Sequence, residues 1–292
     1  MKKQYAAVWF VLPATIIILL LVIYPMVYSL FVSFHSYNIA ISQKMTFIGI
    51  ENFKNIFLDG RFWNSIINTV ILVVVGCALQ LTLGLAIALL LNQKLRSEAA
   101  IKVLILLPML MAPVVVAQMW KIMLQPNIGC VNYFLQLLHV TGQEIEWLTK
   151  SRLAIFSLLL VDLWQWTPFV TIVTLAGLYS MPTSPLEAAR VDGASGFQIF
   201  RYVSLPLLKP ILIVVVLIRS IDIYRLLEAV VVMTEGGPGF STETVSFYVF
   251  SVGFKYFNIG YAAALSYFIS IILSLVVGFF INSLNREMRG AL

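Results

Sequence analysis

NSIINTVILVVVGCALQLTLGLAIALLL, residues 64–91, contains no charged side chain. A hydrocarbon core about 30 Å thick takes about 20 apolar helical residues to cross, and this stretch is long enough. In lipid every unpaired backbone group is costly, so a segment that satisfies its own hydrogen bonds, a helix, is the expected conformation. Five other stretches are long and mostly apolar as well, though some carry charges: Val8–Phe34, Val103–Leu124, Leu153–Ser180, Ile211–Met233 and Gly260–Leu284. With 61% hydrophobic and 11% charged residues and a mean hydropathy of +0.96, the chain is unlike an ordinary soluble domain. The expected fold is an all-α integral membrane protein of about six transmembrane helices, a single transmembrane domain over residues 1–292. Pro13, Pro25, Pro108, Pro113 and Pro168 fall inside these spans, where kinks are tolerated.

Short cytoplasmic loops carry an excess of Lys and Arg. With the N-terminus inside, the cytoplasmic set is Lys2, Lys3, Lys94, Arg96, Lys102, Arg190, Arg201, Lys209, Arg286 and Arg289. The longer external segments hold Lys44, Lys54, Arg61, Lys150, Arg152 and Lys255. Both termini are therefore expected in the cytoplasm, and the net charge of +6 follows from topology, with no call for a nucleic-acid partner. The first hydrophobic stretch is longer than a signal-peptide core and lacks a small-residue cleavage pattern after it, so it is expected to stay as a span. Cys77 and Cys130 are too far apart in character to suggest a disulfide framework or metal site, and His35 and His139 have no ligand partners in sequence.

Between the fourth and fifth spans lies SMPTSPLEAARVDGASGFQIFRYVSLPLLKP, residues 180–210. It mixes proline, glycine and charge with helical periodicity, and predicts two short amphipathic helices about a turn at Gly193. Ala188 and Ala189 allow close approach of another surface, Gly193 permits a positive φ, and Glu187 and Asp192 offer charged contacts.

Glu187, Ala188, Ala189, Asp192, Gly193, Ala194, Phe200, Leu205 and Pro206 resemble the E-A-A-x-x-D-G-A, Phe, L-P pattern of the membrane subunits of binding-protein-dependent ABC importers. The resemblance extends to GIENF at 49–53, Asn68-Thr69, GLAIALLLN at 84–92 and TEGGPGFST at 234–242, and is similar to the maltose-permease-F-like branch of sugar transporters. It implies a permease subunit of the bacterial or archaeal cytoplasmic (inner) membrane, with residues 181–210 as a cytoplasmic coupling-helix loop. Within that loop, Glu187, Ala188, Ala189, Asp192, Gly193, Leu205 and Pro206 are the implied ATPase-coupling residues. The implied partners are a second permease subunit in a heterodimer, two ATPase subunits, an extracytoplasmic sugar-binding protein, a sugar and the lipid bilayer. No G-x-x-x-x-G-K-[ST] occurs in the chain, so it lacks a P-loop for ATP phosphates; ATP and Mg would be bound by the partner ATPase, and the chain itself holds no expected cofactor and is no enzyme.

Ionisable residues inside a membrane are expensive and mark pathways or paired sites. The fifth span carries Arg219, Asp222, Arg225 and Glu228 at a spacing of three. Two readings stand side by side: a self-neutralising ladder packed against other spans, or a polar cavity in which Asp222, Tyr224, Arg225 and Glu228 meet a substrate. The fourth span offers Asp162, Trp164, Gln165 and Trp166, hydrogen-bonding groups and aromatic faces suited to sugar hydroxyls and C–H surfaces, or else packing groups. An ion-coupled secondary transporter, a membrane-embedded enzyme and an importer of glycerol phosphate are the rival assignments.

Overall fold

The computed structural model describes residues 12–93 and 98–290; Lys2, Lys3, Lys94, Arg96 and the Val8 end of the first span lie outside the described residues. Among those described, five helices are long and apolar enough to cross a membrane, and a pair bent by 93° makes up to six if it is taken as one span. They are α1 (Leu12–Ser33), α3 (Gly60–Leu91), α7 (Ser151–Tyr179), α9 (Gly196–Tyr224) and α11 (Ile259–Gly290), with α4 (Glu98–Leu110) and α5 (Pro113–Met123) as the pair. Shorter helices are α2 (Glu51–Leu58), α6 (Cys130–Leu137), α8 (Thr183–Val191) and α10 (Val245–Lys255). The chain separates into two compact units, one of residues 1–62 and 248–275, the other of residues 63–247 and 276–292.

In the first unit a two-stranded antiparallel hairpin, β1 (His35–Asn38) and β2 (Ser42–Phe47), follows α1. Its turn is set by Asn38, whose Oδ1 accepts the Ala40 N–H at 3.0 Å, a local bond typical of Asn in turns. The GIENF segment has a structural task here. Gly49 takes φ +59°, and Asn52 Nδ2 donates to the Ser33 and His35 carbonyls at 2.8 and 3.0 Å, tying α2 to the end of α1. Asp59 caps α3: its Oδ1 accepts the N–H groups of Arg61 and Phe62, both at 3.1 Å. That cap starts the helix at Gly60 rather than Asn64, because it satisfies donors that would otherwise be orphaned. Asp59 Oδ2 accepts the Tyr248 hydroxyl and, at 2.7 Å, that of Tyr261. Burial alone would raise this carboxyl, but the two tyrosine hydroxyls and the two backbone N–H groups outweigh it and hold it below its ordinary value.

In the second unit α7 is the central element, with more than half of its apolar window buried. Gly84 on α3 lets α7 come close: a Cβ there would stand 2.6 Å from Val170 Cγ1 and 3.2 Å from the Thr171 backbone nitrogen. Small residues that let helix backbones approach are the expected device where lipid supplies no hydrophobic drive between spans. The TEGGPGFST segment is pinned by the same helix. Asn64 and Asn68 each donate to the Phe240 carbonyl at 3.0 Å, Asn68 also reaches Glu243 O at 3.1 Å, and Thr69 Oγ1 accepts the Val245 N–H at 2.9 Å. Two motifs far apart in sequence thus form one joint.

Three further expectations change. The span expected over Val103–Leu124 is two helices at 93°. Pro113 has no N–H to continue the first helix, and Ala112 before it is extended at φ −62°, ψ +132°, as a residue preceding proline prefers. The span expected over Ile211–Met233 stops at Tyr224, and a separate π-helical turn occupies Val230–Thr234. The second short helix expected after Gly193 runs on through a π-helical turn at Phe200–Ser204 into the membrane span.

Candidate functional site

Arg219 on α9 is the centre of the second unit's polar network, with 1% of it exposed. Its Nη2 donates to Asp162 Oδ1 and Oδ2 at 3.0 and 3.1 Å, its Nη1 to Asp222 Oδ2 at 3.1 Å, and its Nε to Gln80 Oε1 at 2.8 Å. Gln80 Nε2 in turn donates to Asp162 Oδ2 at 2.7 Å and to the Asp162 carbonyl at 3.2 Å. The guanidinium also lies 5.0 Å from the Trp166 ring centroid, within cation–π range. Three spans, α3, α7 and α9, therefore meet at one closed cycle of charge-assisted hydrogen bonds. A buried charge pair is tolerable only when its remaining lone pairs and protons are satisfied, and Gln80 does that for both partners.

The network forms one wall of a cleft of about 180 Å³ lined by Pro113, Val161, Asp162, Gln165, Trp166, Asp222, Arg225, Leu226, Glu228 and Ala229. Of the residues expected at a substrate path, Asp162, Gln165, Trp166, Asp222, Arg225 and Glu228 are brought together here. Helical geometry explains the selection on α7, since at 100° per residue Asp162, Gln165 and Trp166 share one face and Trp164 points elsewhere. Trp164 packs edge-to-face on Trp120 at 5.8 Å and borders a separate apolar crevice with Leu83, Ile87 and Pro108. Tyr224 is not among the cleft residues either; its carbonyl accepts the Ser246 hydroxyl at 2.8 Å.

The ladder expected along the fifth span is realised only at its start. Arg219 and Asp222 pair at i,i+3, but α9 ends at Tyr224, so Arg225 and Glu228 leave the helical register and turn to the cleft. Gln165 serves the break between α4 and α5 as well, donating to the Met111 carbonyl at 3.1 Å. Gln80 is not among the residues that the sequence singles out. Its signal was there, an amide in a stretch otherwise free of charge, but nothing along the chain said which partners it would meet.

The residues expected to form a coupling loop lie apart from this cleft along the chain. Glu187, Ala188 and Ala189 are on α8, Asp192 caps it, and Gly193 turns the chain at φ +76°. The Gly193 and Ala194 N–H groups close back onto the Arg190 and Ala189 carbonyls at 3.1 and 3.0 Å. Ser195 and Gln198 then form a reciprocal capping box, with bonds of 3.4 and 2.7 Å. Leu205 and Pro206 stand where the following helix resumes regular α geometry. No residue of α8 is buried, and Val191, Phe197 and Tyr202 are all exposed apolar groups.

Residues 80–290 match the model of a family described as binding-protein-dependent transport system inner membrane component. The probable ABC transporter permease protein y4oQ of Sinorhizobium fredii is 36% identical over 261 residues, covering 89% of this chain and 84% of that protein. The trehalose/maltose transport system permease protein MalF of Thermococcus litoralis is 34% identical over 250 residues, 86% of this chain and 82% of that one. A solved bacterial ABC transporter involved in import of the acidic polysaccharide alginate has a chain of the same fold, with a TM-score of 0.82 at 23% identity and coverage of 98% and 96%.

Proposed function

The chain belongs to the binding-protein-dependent transport system inner membrane components, a multi-pass permease family, and from that premise we propose that it forms one half of the pathway of an ATP-driven sugar importer. The observation that carries the sugar assignment is the cleft itself. Carboxylates, an amide and a guanidinium, which bond hydroxyls in fixed directions, line it together with Trp166, an aromatic side chain of the kind that suits the C–H side of a sugar ring. The named trehalose/maltose relative supports the same class. At about 180 Å³ the cleft is smaller than the roughly 300–1,000 Å³ of small-molecule sites. This fits a pathway wall that a second permease subunit completes.

In this reading α8 docks a separate ATPase, which binds ATP and Mg, and the rigid connection from α8 through Gly193 into α9 carries its motion to Arg219 and Asp222. Both termini and α8 face the cytoplasm, and an extracytoplasmic sugar-binding protein delivers substrate from the opposite side. A strain deleted for this chain is expected to lose growth and radiolabelled uptake on trehalose or maltose, and the tagged chain to co-purify with an ATPase. Unimpaired uptake of both sugars together with a purified chain free of ATPase would sink the assignment; loss of glycerol-phosphate uptake instead would favour the rival substrate.

A further inference from the structure

We propose that Gln80 and Arg219 are positioning residues for transport, fixing the Asp222 carboxylate and the Trp166 ring at the angle the substrate meets. The inference rests on the cleft being the substrate path. Arg219 is almost wholly buried, whereas the Asp222 side chain that it holds is 42% exposed and borders the cleft. Asp222 spends Oδ2 on Arg219, and its Oδ1 takes no hydrogen bond among the described residues, which leaves that oxygen for a hydroxyl. The same guanidinium lies over Trp166. One buried group therefore sets both a hydrogen-bonding and a stacking element.

What sets Arg219 is Gln80. Two carboxylates bind the Nη ends of the guanidinium, and an arginine held only there could pivot about its long side chain. The Nε bond to Gln80 fixes a third point, and the Gln80 amide closes the cycle onto Asp162. Gln80 is fully buried and does not border the cleft, so its influence on substrate runs through Arg219. Removing the amide leaves a buried Nε–H unpaired and the fork free to tilt, moving Asp222 and Trp166 together.

The test is a pair of substitutions in the assembled transporter, in membrane vesicles with its own ATPase and binding protein. Gln80→Met keeps length and apolar fit; Asp222→Asn removes the positioned charge. Maximal uptake rates of radiolabelled trehalose and maltose, each normalised to the amount of chain in the membrane, are measured for both variants and for the double variant. Positioning predicts that Gln80→Met slows uptake by about tenfold or more, of the order of one lost hydrogen bond to a charged group. It also predicts that the double variant is within about twofold of Asp222→Asn, because coupled neighbours are non-additive. The trehalose-to-maltose ratio should move in the same direction in both single variants. A merely structural Gln80 would slow both sugars by one factor, leave their ratio at the wild-type value and multiply with Asp222→Asn, and that outcome overturns the proposal. Should Gln80→Met fail to accumulate, Gln80→Asn, which keeps the amide but draws it back from Nε, is judged by the same criteria. A wild-type rate in Asp222→Asn beside a slowed Gln80→Met would instead remove the cleft from the substrate path.

Discussion

Asp59 joins local sequence to tertiary contact at a single residue. Its cap of α3 is local chemistry, but its second oxygen is held by Tyr248 and Tyr261, 189 and 202 residues further along the chain. Because its folded pKa is held below the unfolded value, Asp59 stabilises the fold at neutral pH, and that contribution is lost as pH falls through the folded value, below the ordinary carboxylate range of about 3.9. Asp59→Asn retains a capping oxygen and removes the charge. The detergent-purified variant is expected to melt below wild type at neutral pH, with the gap closing as acid protonates the wild-type carboxyl. A gap that stays constant across that range would show that Asp59 acts without its charge.

At the scale of elements, two contacts between helices carry separate expectations. Gly84 sits where α3 and α7 touch, and Gly84→Val places methyl groups against Val170 and the Thr171 backbone. Overpacking of this kind costs about 1–3 kcal/mol, so less chain should survive in the membrane and its melting temperature should fall; a normal yield and melting point would mean that the helices separate freely. Gly193 differs, since nothing stands within 4 Å of a Cβ built there. A β-branched residue is opposed only by the positive φ, at about 1–3 kcal/mol. Gly193→Val should therefore reach the membrane in near-normal amount but pull down less ATPase and hydrolyse less ATP when substrate is present. Equal pull-down and equal hydrolysis would separate the turn from coupling.

For the whole molecule, the distribution of basic residues makes a statement about sidedness that thiol chemistry can read. In a background of Cys77→Ala and Cys130→Ser, Ser184→Cys on the exposed surface of α8 should resist an impermeant maleimide in intact cells and react once the membrane is opened. Ile41→Cys, at a position 84% exposed in the hairpin turn, should react at once. The reverse pattern would invert the topology and place α8 out of reach of a cytoplasmic ATPase.

The sequence alone determined the membrane class, the helical fold, the turn at Gly193 and the family, because each depends on composition, on period or on residues adjacent along the chain. A charge-free stretch of that length has nowhere but lipid to go, and a glycine after a short amphipathic helix has a local use wherever the helix lies. It also placed Asp162, Gln165 and Asp222 among the candidates, since ionisable and amide groups in hydrocarbon are rare. Only the tertiary structure decided how they pair. A buried polar group must find partners across space, and the partners of Arg219 come from α3, α7 and its own helix. The same constraint turned Gln80 from an unremarked amide into the support of the charged cycle, and the helix end at Tyr224 sent Arg225 and Glu228 to the cleft instead of along a ladder. Backbone periodicity is written residue by residue; the satisfaction of buried charge is settled only when distant helices meet.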